Sequence, residues 1–233
     1  MALAGFGGEN VANAEEFTDR TVARESNPVE SSTPGKDREK KGLSALTRAK
    51  EALERGETAK DEASRRRAYE IASQEADEAV ELLPDNADAR FTQFGAEGRL
   101  AQMRGMAAIA LALPGLNDQL KKVLELNPNH ASALAARGGM LMKLPWLLGG
   151  DKAEGVRILE HAVALNPTGA RAHLELAQAY EIVGRDPEAM QTGRKALRLA
   201  QTKGEDGKAR QAADFVADLA QSCTNCQAPE TAP

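Results

Sequence analysis

The sequence contains few of the residues that usually form an active site or a metal site. Among its 233 residues are two cysteines, three histidines and one tryptophan, and aromatic residues make up only 3%. His130, His161 and His173 lack the spacing of a helical metal site, so we expect ordinary surface or groove histidines. No serine stands in a G-x-S-x-G elbow, and no carboxylate pair stands out as a general acid and base. The sequence therefore indicates a protein that is not an enzyme and holds no metal or cofactor.

Long hydrophobic runs and an excess of positive charge are also missing. The longest apolar stretch, residues 106–116, is shorter than the roughly 18 residues of a membrane span. It also contains a Pro-Gly pair, which predicts a break in the helix. The net charge is −5, whereas binding to phosphate backbones needs a basic surface. We therefore expect no transmembrane segment and no nucleic-acid partner.

Two short motifs bear on the cellular compartment. Cys223 and Cys226 form a single C-x-x-C pair, which cannot supply the four ligands of a structural zinc site. The next residue, Gln227, excludes the usual c-type haem attachment. The pair suits a local disulfide in an oxidising compartment or free thiols in the cytoplasm, and we favour the disulfide. Residues 12–14, Ala-Asn-Ala before Glu15, are either the remnant of an export signal or a chance match. A periplasmic or exported location is thus favoured, with the cytoplasm as the alternative.

What the chain does contain is a helical pattern rich in Ala, Leu and charged residues. From Leu43 onward the apolar residues recur at intervals of three and four, and no segment alternates as a strand does. Residues 1–41 show no such period and cannot bury enough apolar surface to offset the entropy of ordering them. We predict an all-α protein with a flexible N-terminal tail over 1–41, a helical domain over 42–222 and a flexible C-terminal tail over 223–233.

Internal repeats indicate how the helices are arranged. Three stretches align, "EAVELLPDNADARF", "KVLELNPNHASALA" and "HAVALNPTGARAHL", and their prolines Pro84, Pro128 and Pro167 are separated by 44 and 39 residues. Each stretch is the end of a helix, a proline that stops it, a polar turn and the start of the next helix. Each unit is thus a helix pair that covers its apolar face only by stacking on its neighbours. We predict an α-α superhelix of about four helix pairs, closed by a capping helix over residues 208–222.

The last repeat, residues 170–201, resembles the tetratricopeptide repeat (TPR) family. Its small residues, tyrosine and turn glycine fall on the family's positions at Ala177, Tyr180, Gly184, Ala189 and Ala196. The resemblance implies a TPR-like solenoid. It also implies a non-catalytic scaffold or adaptor subunit that binds another protein of a larger assembly.

Two of the repeats are longer than the family's period of about 34 residues. About ten residues are added around "MRGMAAIALALPGL" and about five around "LPWLLGGDKAEG". These insertions, within residues 105–200, are similar to those of the periplasmic TPR proteins associated with TRAP transporters, the T component. That similarity implies an alternative function as an accessory protein of solute transport. Such a protein would contact a small apolar ligand or a solute-binding protein.

The glycine pair of the second insertion could be read as a phosphate-binding loop. Such a loop usually carries Lys followed by Ser or Thr at a helix start, and Gly149-Gly150 does not. We expect Asp151 and Glu154 to form a capping box that satisfies the free N–H groups of the next helix. Both acids also repel an incoming phosphate. We therefore predict a structural turn, with Trp146 either packed on neighbouring helix pairs or exposed at the mouth of a groove.

A TPR stack binds partners along the concave surface that its first helices line, and the resemblance implies such a groove here. These side chains either bind the partner, which could be a second copy of the chain, or merely cover the inner surface. Leu174 and Gln178 replace the lysine and asparagine of chaperone-binding TPR proteins, so no clamp for a peptide carboxylate is expected. The partner-binding candidates are Phe91, Arg99, Ser132, Met142, Lys143, Trp146, Arg171, Leu174, Gln178 and Glu181.

Overall fold

The computed structural model describes residues 34–223, apart from the side chains of Pro34 and Leu148. Within this range the chain forms nine α-helices and one short 3-10 turn, and no strand. The helices are α1 (Pro34–Thr58), α2 (Glu62–Leu82), α3 (Ala87–Arg104), α4 (Met106–Leu126), α5 (Ala131–Lys143), α6 (Lys152–Leu165), α7 (Ala170–Ile182), α8 (Asp186–Thr202) and α9 (Asp206–Ser222), and the 3-10 turn is Trp146–Leu148.

The helices pack as consecutive antiparallel pairs, α1 with α2, α3 with α4, α5 with α6 and α7 with α8. Successive pairs stack through α2 on α3 and α6 on α7, and α9 covers α8 and touches α7. Each pair thus buries the apolar face that its neighbour leaves open. The prediction of an all-α superhelix with four helix pairs and a capping helix is confirmed.

The three repeated prolines stop α2, α4 and α6 in the same way. In each turn the carbonyl of the residue before the proline accepts the N–H of the residue three positions later. Proline suits the second position of this turn because its φ is preset and it needs no N–H partner. The three bonds are Asn86 to Leu83, His130 to Asn127 and Gly169 to Asn166, with N–O distances of 3.1, 3.1 and 3.0 Å.

The small residues that carry the TPR resemblance lie where the last helices cross. Ala177, Ala189 and Ala196 are fully buried, and Tyr180 is buried beside them. Gly184 has a φ of +74°, a left-handed conformation that favours glycine at the turn between α7 and α8. The spacing of these residues follows from packing two helices closely enough for their backbones to approach.

Helix α1 begins earlier than the predicted end of the N-terminal tail, because residues 34–41 are helical. Their lysines, arginine and glutamate are good helix formers although they show no apolar period. The Arg38 guanidinium also donates to the carbonyl oxygen of Glu81 at 2.9 Å, which fixes this part of α1 against α2. Residues 1–33, with the Ala-Asn-Ala motif, and residues 224–233, with Cys226, lie outside the described residues. The rest of both tails and the Cys223–Cys226 disulfide therefore stay predictions.

The Pro-Gly pair at 114–115 does not break its helix, so that prediction is wrong. Helix α4 runs through Pro114 although the proline lacks the N–H that would bond to the carbonyl of Ala110. The C-terminal half of α4 is held by the buried side chains of Leu116, Leu120 and Val123. Strong helix formers on the N-terminal side then continue the same helix.

Candidate partner-binding groove

The two insertions of the sequence meet at one groove, which we call the insertion groove. Its volume is about 420 Å³, and it lies between α4, α5 and the connection from α5 to α6. The first insertion supplies its α4 wall and the second supplies the connection. The lining residues are Leu113, Pro114, Asn117, Arg137, Met140, Leu141, Leu144 and Gly149.

The groove is open because α4 and α5 hardly touch. Among consecutive helices of the described chain, this pair makes the smallest contact. The C-terminal half of α4 still joins a small core with α3 and α5 around Leu120, Val123 and Ala133. Residues 106–115, in contrast, include no fully buried residue. The added residues therefore carry the start of α4 beyond the cover that its neighbours provide.

Both insertions expose large apolar side chains beside the groove. Leu111, Met106, Trp146 and Leu147 have exposed fractions of 84%, 79%, 78% and 74%, the highest among large hydrophobic residues of the described chain. Single exposed apolar residues are normal on a protein surface. Three of them, Met106, Trp146 and Leu147, lie on the two segments that border one groove. Met106 lies on the side of α4 that Leu113 and Asn117 share, whereas Leu111 lies on the opposite side of α4.

Arg137 is the only charged residue that lines the groove, and it makes no hydrogen bond or ion pair with the described residues. The carboxylate whose pKa it influences, Glu154, is already held by Arg157 through two hydrogen bonds of 2.7 and 2.6 Å. These bonds are the main reason why the pKa of Glu154 is lowered, and the charges of Arg157 and Arg137 add to them. The guanidinium of Arg137 is therefore available to an anionic group in the groove.

Asp151 caps helix α6, but Glu154 does not complete the expected capping box. The Asp151 carboxylate accepts the N–H of Glu154 at 3.0 Å. The N–H of Asp151 donates instead to the carbonyl of Leu141 at 3.2 Å, so it is not free for the Glu154 side chain. Glu154 turns along the helix to Arg157, which offers two charge-assisted bonds. That half of the capping-box prediction is wrong.

The glycine pair before α6 acts as a structural joint. Gly149 has a φ of +86°, which favours glycine, and its N–H donates to the Trp146 carbonyl at 3.1 Å. A side chain at Gly150 would overlap the carbonyl of Leu144. The N–H of Gly150 already donates to the Pro145 carbonyl at 3.0 Å. The pair thus closes the turn that places Trp146 and Leu147 on the surface.

Two of the predicted partner-binding residues belong to the core, so their assignment to a groove is wrong. Met142 is buried between α5 and α6 against Gly155. Leu174 is buried in a cluster with Ala196 and Ala212. His173, expected at the surface or in a groove, is also buried. Helix α7 packs against its pair partner α8, against α5 and α6 of the preceding pair, and against the capping helix α9, so most of its side chains are enclosed.

Three further candidates engage neighbours within the chain. Phe91 on α3 stacks on Phe94, with 5.7 Å between ring centroids, and lies 4.9 Å from the His130 ring. Arg99 pairs with Glu57 of α1 at 2.7 Å, and Lys143 lies 3.5 Å from a carboxylate oxygen of Glu175. These contacts join successive helix pairs, so they provide a structural reason for each residue. Gln178 is half-buried and Glu181 exposed.

Ser132 and Arg171 lie together at a second, smaller cavity of about 190 Å³. Lys203 and Lys208 also line it. Its charges are partly matched, because Lys208 pairs with Glu205 at 3.0 Å and Arg171 lies 4.0 Å from Glu175. The ten predicted residues therefore do not form one site, and Trp146 alone among them borders the insertion groove.

The residues that line the insertion groove were not identified from the sequence. A usable signal was present in "MAAIALALPGL", which is apolar on every side of its helix. Such a helix needs more cover than one partner helix provides. Within residues 34–223 no cluster of three or more His, Cys, Asp or Glu side chains could hold a metal. No helix of that region is long and apolar enough to cross a membrane.

Solved structures resemble this fold. A thermophilic TPR protein of Thermus thermophilus, TTC0263, shares 21% identity over 78% of this chain and 99% of its own, with a TM-score of 0.50. MamA (41-end) from Desulfovibrio magneticus RS-1 shares 20% identity over 79% of this chain and 98% of its own, with a TM-score of 0.45. No protein-family model and no curated protein matches the sequence. The first similarity supports a TPR-type fold, and none of these findings supports the resemblance to the TRAP-associated T component.

Proposed function

We propose that this chain is a non-catalytic protein-interaction scaffold whose partner docks at the insertion groove. The observation that carries the proposal is the group of three exposed apolar side chains, Met106, Trp146 and Leu147, on the two segments that border that groove. Covering such a patch removes apolar surface from water, which is the main driving force of protein association. Trp146 can act as an anchor, because tryptophan is among the residue types that contribute most binding energy in protein interfaces.

The solenoid suits this role because stacked helix pairs present a long and rigid surface. The glycine turn and Asp151 fix the second insertion to the start of α6. The backbone that carries Trp146 and Leu147 is thus held in place before a partner arrives, which lowers the entropic cost of binding. A helical scaffold with one preformed apolar patch is well suited to hold a subunit within a larger assembly.

A second candidate function, an exported accessory protein of solute transport, is favoured by the size of the groove. Its volume of about 420 Å³ lies within the roughly 300–1,000 Å³ of small-molecule sites. The lining combines apolar side chains with one cation, as an amphiphilic solute would require. This candidate also needs the periplasmic location that the sequence favours.

Affinity capture from the native cell with matched variants tests the proposed function. The wild type is compared with a Met106→Ser, Trp146→Ser double variant and with a Leu43→Ser control that alters an exposed apolar residue of α1. Because these side chains are exposed, all three proteins should melt at similar temperatures. We expect a protein that the wild type and the control capture and the double variant does not.

Two results would contradict the scaffold function. One is capture of the same proteins by the double variant. The other is a purified wild type that captures no protein but releases a small molecule on denaturation, detected by mass spectrometry. The second result would favour the solute-transport candidate instead.

A further inference from the structure

We infer that the insertion groove receives an amphipathic helix of a partner protein, and that this helix carries a carboxylate that pairs with Arg137. The inference rests on the proposed function, since it names the occupant of the same groove. Three features of the groove lead to it: a stretch of α4 that α5 does not cover, a largely apolar stripe along α4, and an arginine that forms no ion pair with the described residues.

The first feature is the gap between α4 and α5. In the first and third pairs, the second helix packs along the first helix of the next pair, as α2 does on α3 and α6 on α7. Between α4 and α5 this contact is confined to the C-terminal half of α4, and the groove lies beside the N-terminal half. Helix α4 therefore shows a face on which a helix packs elsewhere in the same molecule. An added helix can insert its side chains between those of α4 and α5, as packed helices do.

The second feature is a stripe along α4 that continues the groove. Met106, Ala110, Leu113 and Asn117 follow the i, i+4, i+7, i+11 spacing that places residues on one helix face. At 1.5 Å per residue the stripe is about 16 Å long, or three helical turns. Leu113 and Asn117 line the groove, while Met106 and Ala110 are exposed beyond it. A small molecule inside the groove would leave Met106, Trp146 and Leu147 uncovered, whereas a helix laid along α4 covers an elongated surface.

The third feature is the charge of Arg137. Arg137 is exposed, lines the groove together with Met140, Leu141 and Leu144, and has no ion-pair partner in the described chain. A planar guanidinium binds a carboxylate through two parallel hydrogen bonds, and such a pair strengthens when a docked helix excludes water. An aspartate or glutamate at the edge of the apolar face of the partner helix would complement this cation. A neutral or basic helix would leave it covered and unpaired, at a cost in affinity.

Peptide selection tests the inference even while the partner protein is unidentified. A phage-displayed library of random 16-residue peptides is selected on the full-length wild type and on Arg137→Glu. The matched control is Arg198→Glu, which reverses an exposed arginine on α8. Selected peptides are synthesised, and their affinity and helicity are measured by calorimetry and circular dichroism.

We expect wild-type binders with apolar residues at helical spacing and at least one Asp or Glu. Arg137→Glu should weaken them by at least about tenfold and should select peptides with Lys or Arg instead. The control should bind as the wild type does. A proline in the middle of a binder should abolish binding, because it breaks the helix.

Several results would overturn the inference. They are binders without an acid, equal affinity for Arg137→Glu, binders that tolerate a central proline, or no binders at all. Self-association in sedimentation that Met106→Ser, Trp146→Ser abolishes would make a second copy the occupant, which also overturns it. The scaffold function survives these results if the lysate partner still depends on Met106 and Trp146. The scaffold function fails, independently of the peptide results, if the Met106→Ser, Trp146→Ser variant still captures the protein that the wild type captures from the lysate.

Discussion

His173 is buried with one ring nitrogen bonded and the other without a partner. Its Nδ1 lies 2.9 Å from the carbonyl oxygen of Gly169, so Nδ1 carries the proton and donates it to that oxygen. Its Nε2 has no hydrogen-bond partner in the described chain. Burial lowers the pKa of this imidazole, and the bond to Gly169 opposes the effect only in part. A second proton on Nε2 would place an unpaired charge in the core.

We predict that His173 makes the protein less stable in mild acid. Because its pKa is lower in the folded than in the unfolded chain, the unfolded chain binds more protons as the pH falls below about 6.5. The free energy of unfolding should therefore fall between pH 7.5 and 5.5. His173→Asn can keep the bond to Gly169 but cannot titrate. Urea unfolding should therefore show a smaller fall in the free energy of unfolding over this pH range for the variant, even if the variant is less stable overall. An equal fall in both proteins would mean that other groups cause it.

We predict that the two acids at the start of α6 contribute unequally to stability. Asp151 satisfies a free N–H of the helix, so Asp151→Ala should lower the free energy of unfolding by about 1 kcal/mol. Glu154 makes an exposed pair with Arg157, so Glu154→Ala should change it by less than about 0.5 kcal/mol. Asp151→Asn keeps an accepting oxygen and serves as the control. Equal losses in chemical denaturation at both positions would contradict the asymmetry.

Helices α5 and α6 cross at two glycines that face each other. A Cβ added at Gly138 would lie 2.6 Å from Leu159 Cγ and 3.1 Å from the carbonyl oxygen of Gly155. A Cβ at Gly155 would lie 3.2 Å from the Gly138 carbonyl oxygen. The backbones therefore approach too closely for a methyl group at either position. This close crossing fixes the angle between α5 and α6, the two helices that the second insertion connects.

We predict opposite effects for two glycine-to-alanine substitutions within helices. Gly138→Ala should lower the free energy of unfolding by roughly 1–3 kcal/mol, because it overpacks the crossing. Gly98→Ala in α3 meets no atom within 4 Å, so it should raise stability by about 0.5–1 kcal/mol through helix propensity. Thermal and urea unfolding of the two variants and the wild type measure both changes in stability. A loss of stability at Gly98 would mean that α3 needs flexibility there.

The order of helices could be predicted from the sequence better than the site could. Pro84, Pro128 and Pro167 each end a helix by a local rule, and the apolar period supplies the rest. The insertion groove depends instead on how two distant insertions meet, and no local rule gives that. Pro114 shows the same limit, since the local preference for a break is outweighed by strong helix formers and by the buried C-terminal half of α4. Met142 and Leu174 were misplaced because other helices cover them: α6, the pair partner of α5, covers Met142, and α8 with the capping helix α9 covers Leu174.

The core of the solenoid differs in composition along its length. The buried apolar residues of α1–α3 are nearly all alanines, with Leu46 and Tyr69 as the large exceptions. The core of α5–α9 contains Leu159, Tyr180 and Leu219 among many larger side chains. Alanine buries far less apolar surface than leucine, so the N-terminal pairs gain less from the hydrophobic effect. The narrow contact between α4 and α5 also limits how far one half can support the other.

We therefore predict that the molecule opens from its N-terminal half. Because a repeat array gains stability mainly from neighbouring pairs, a weak junction allows its two halves to open separately. Hydrogen exchange with mass spectrometry at increasing urea should show amides of α1–α3 losing protection before those of α6–α8. Ala72→Leu would not test this, because it overpacks a fully buried position. Leu159→Ala, which should cost about 2–5 kcal/mol, is the matched change. In this variant the amides of α6–α8 should lose protection at a urea concentration closer to that of α1–α3, and the amides of α1–α3 should be nearly unaffected. A loss of protection in all the helices at one urea concentration would instead show a single cooperative unit.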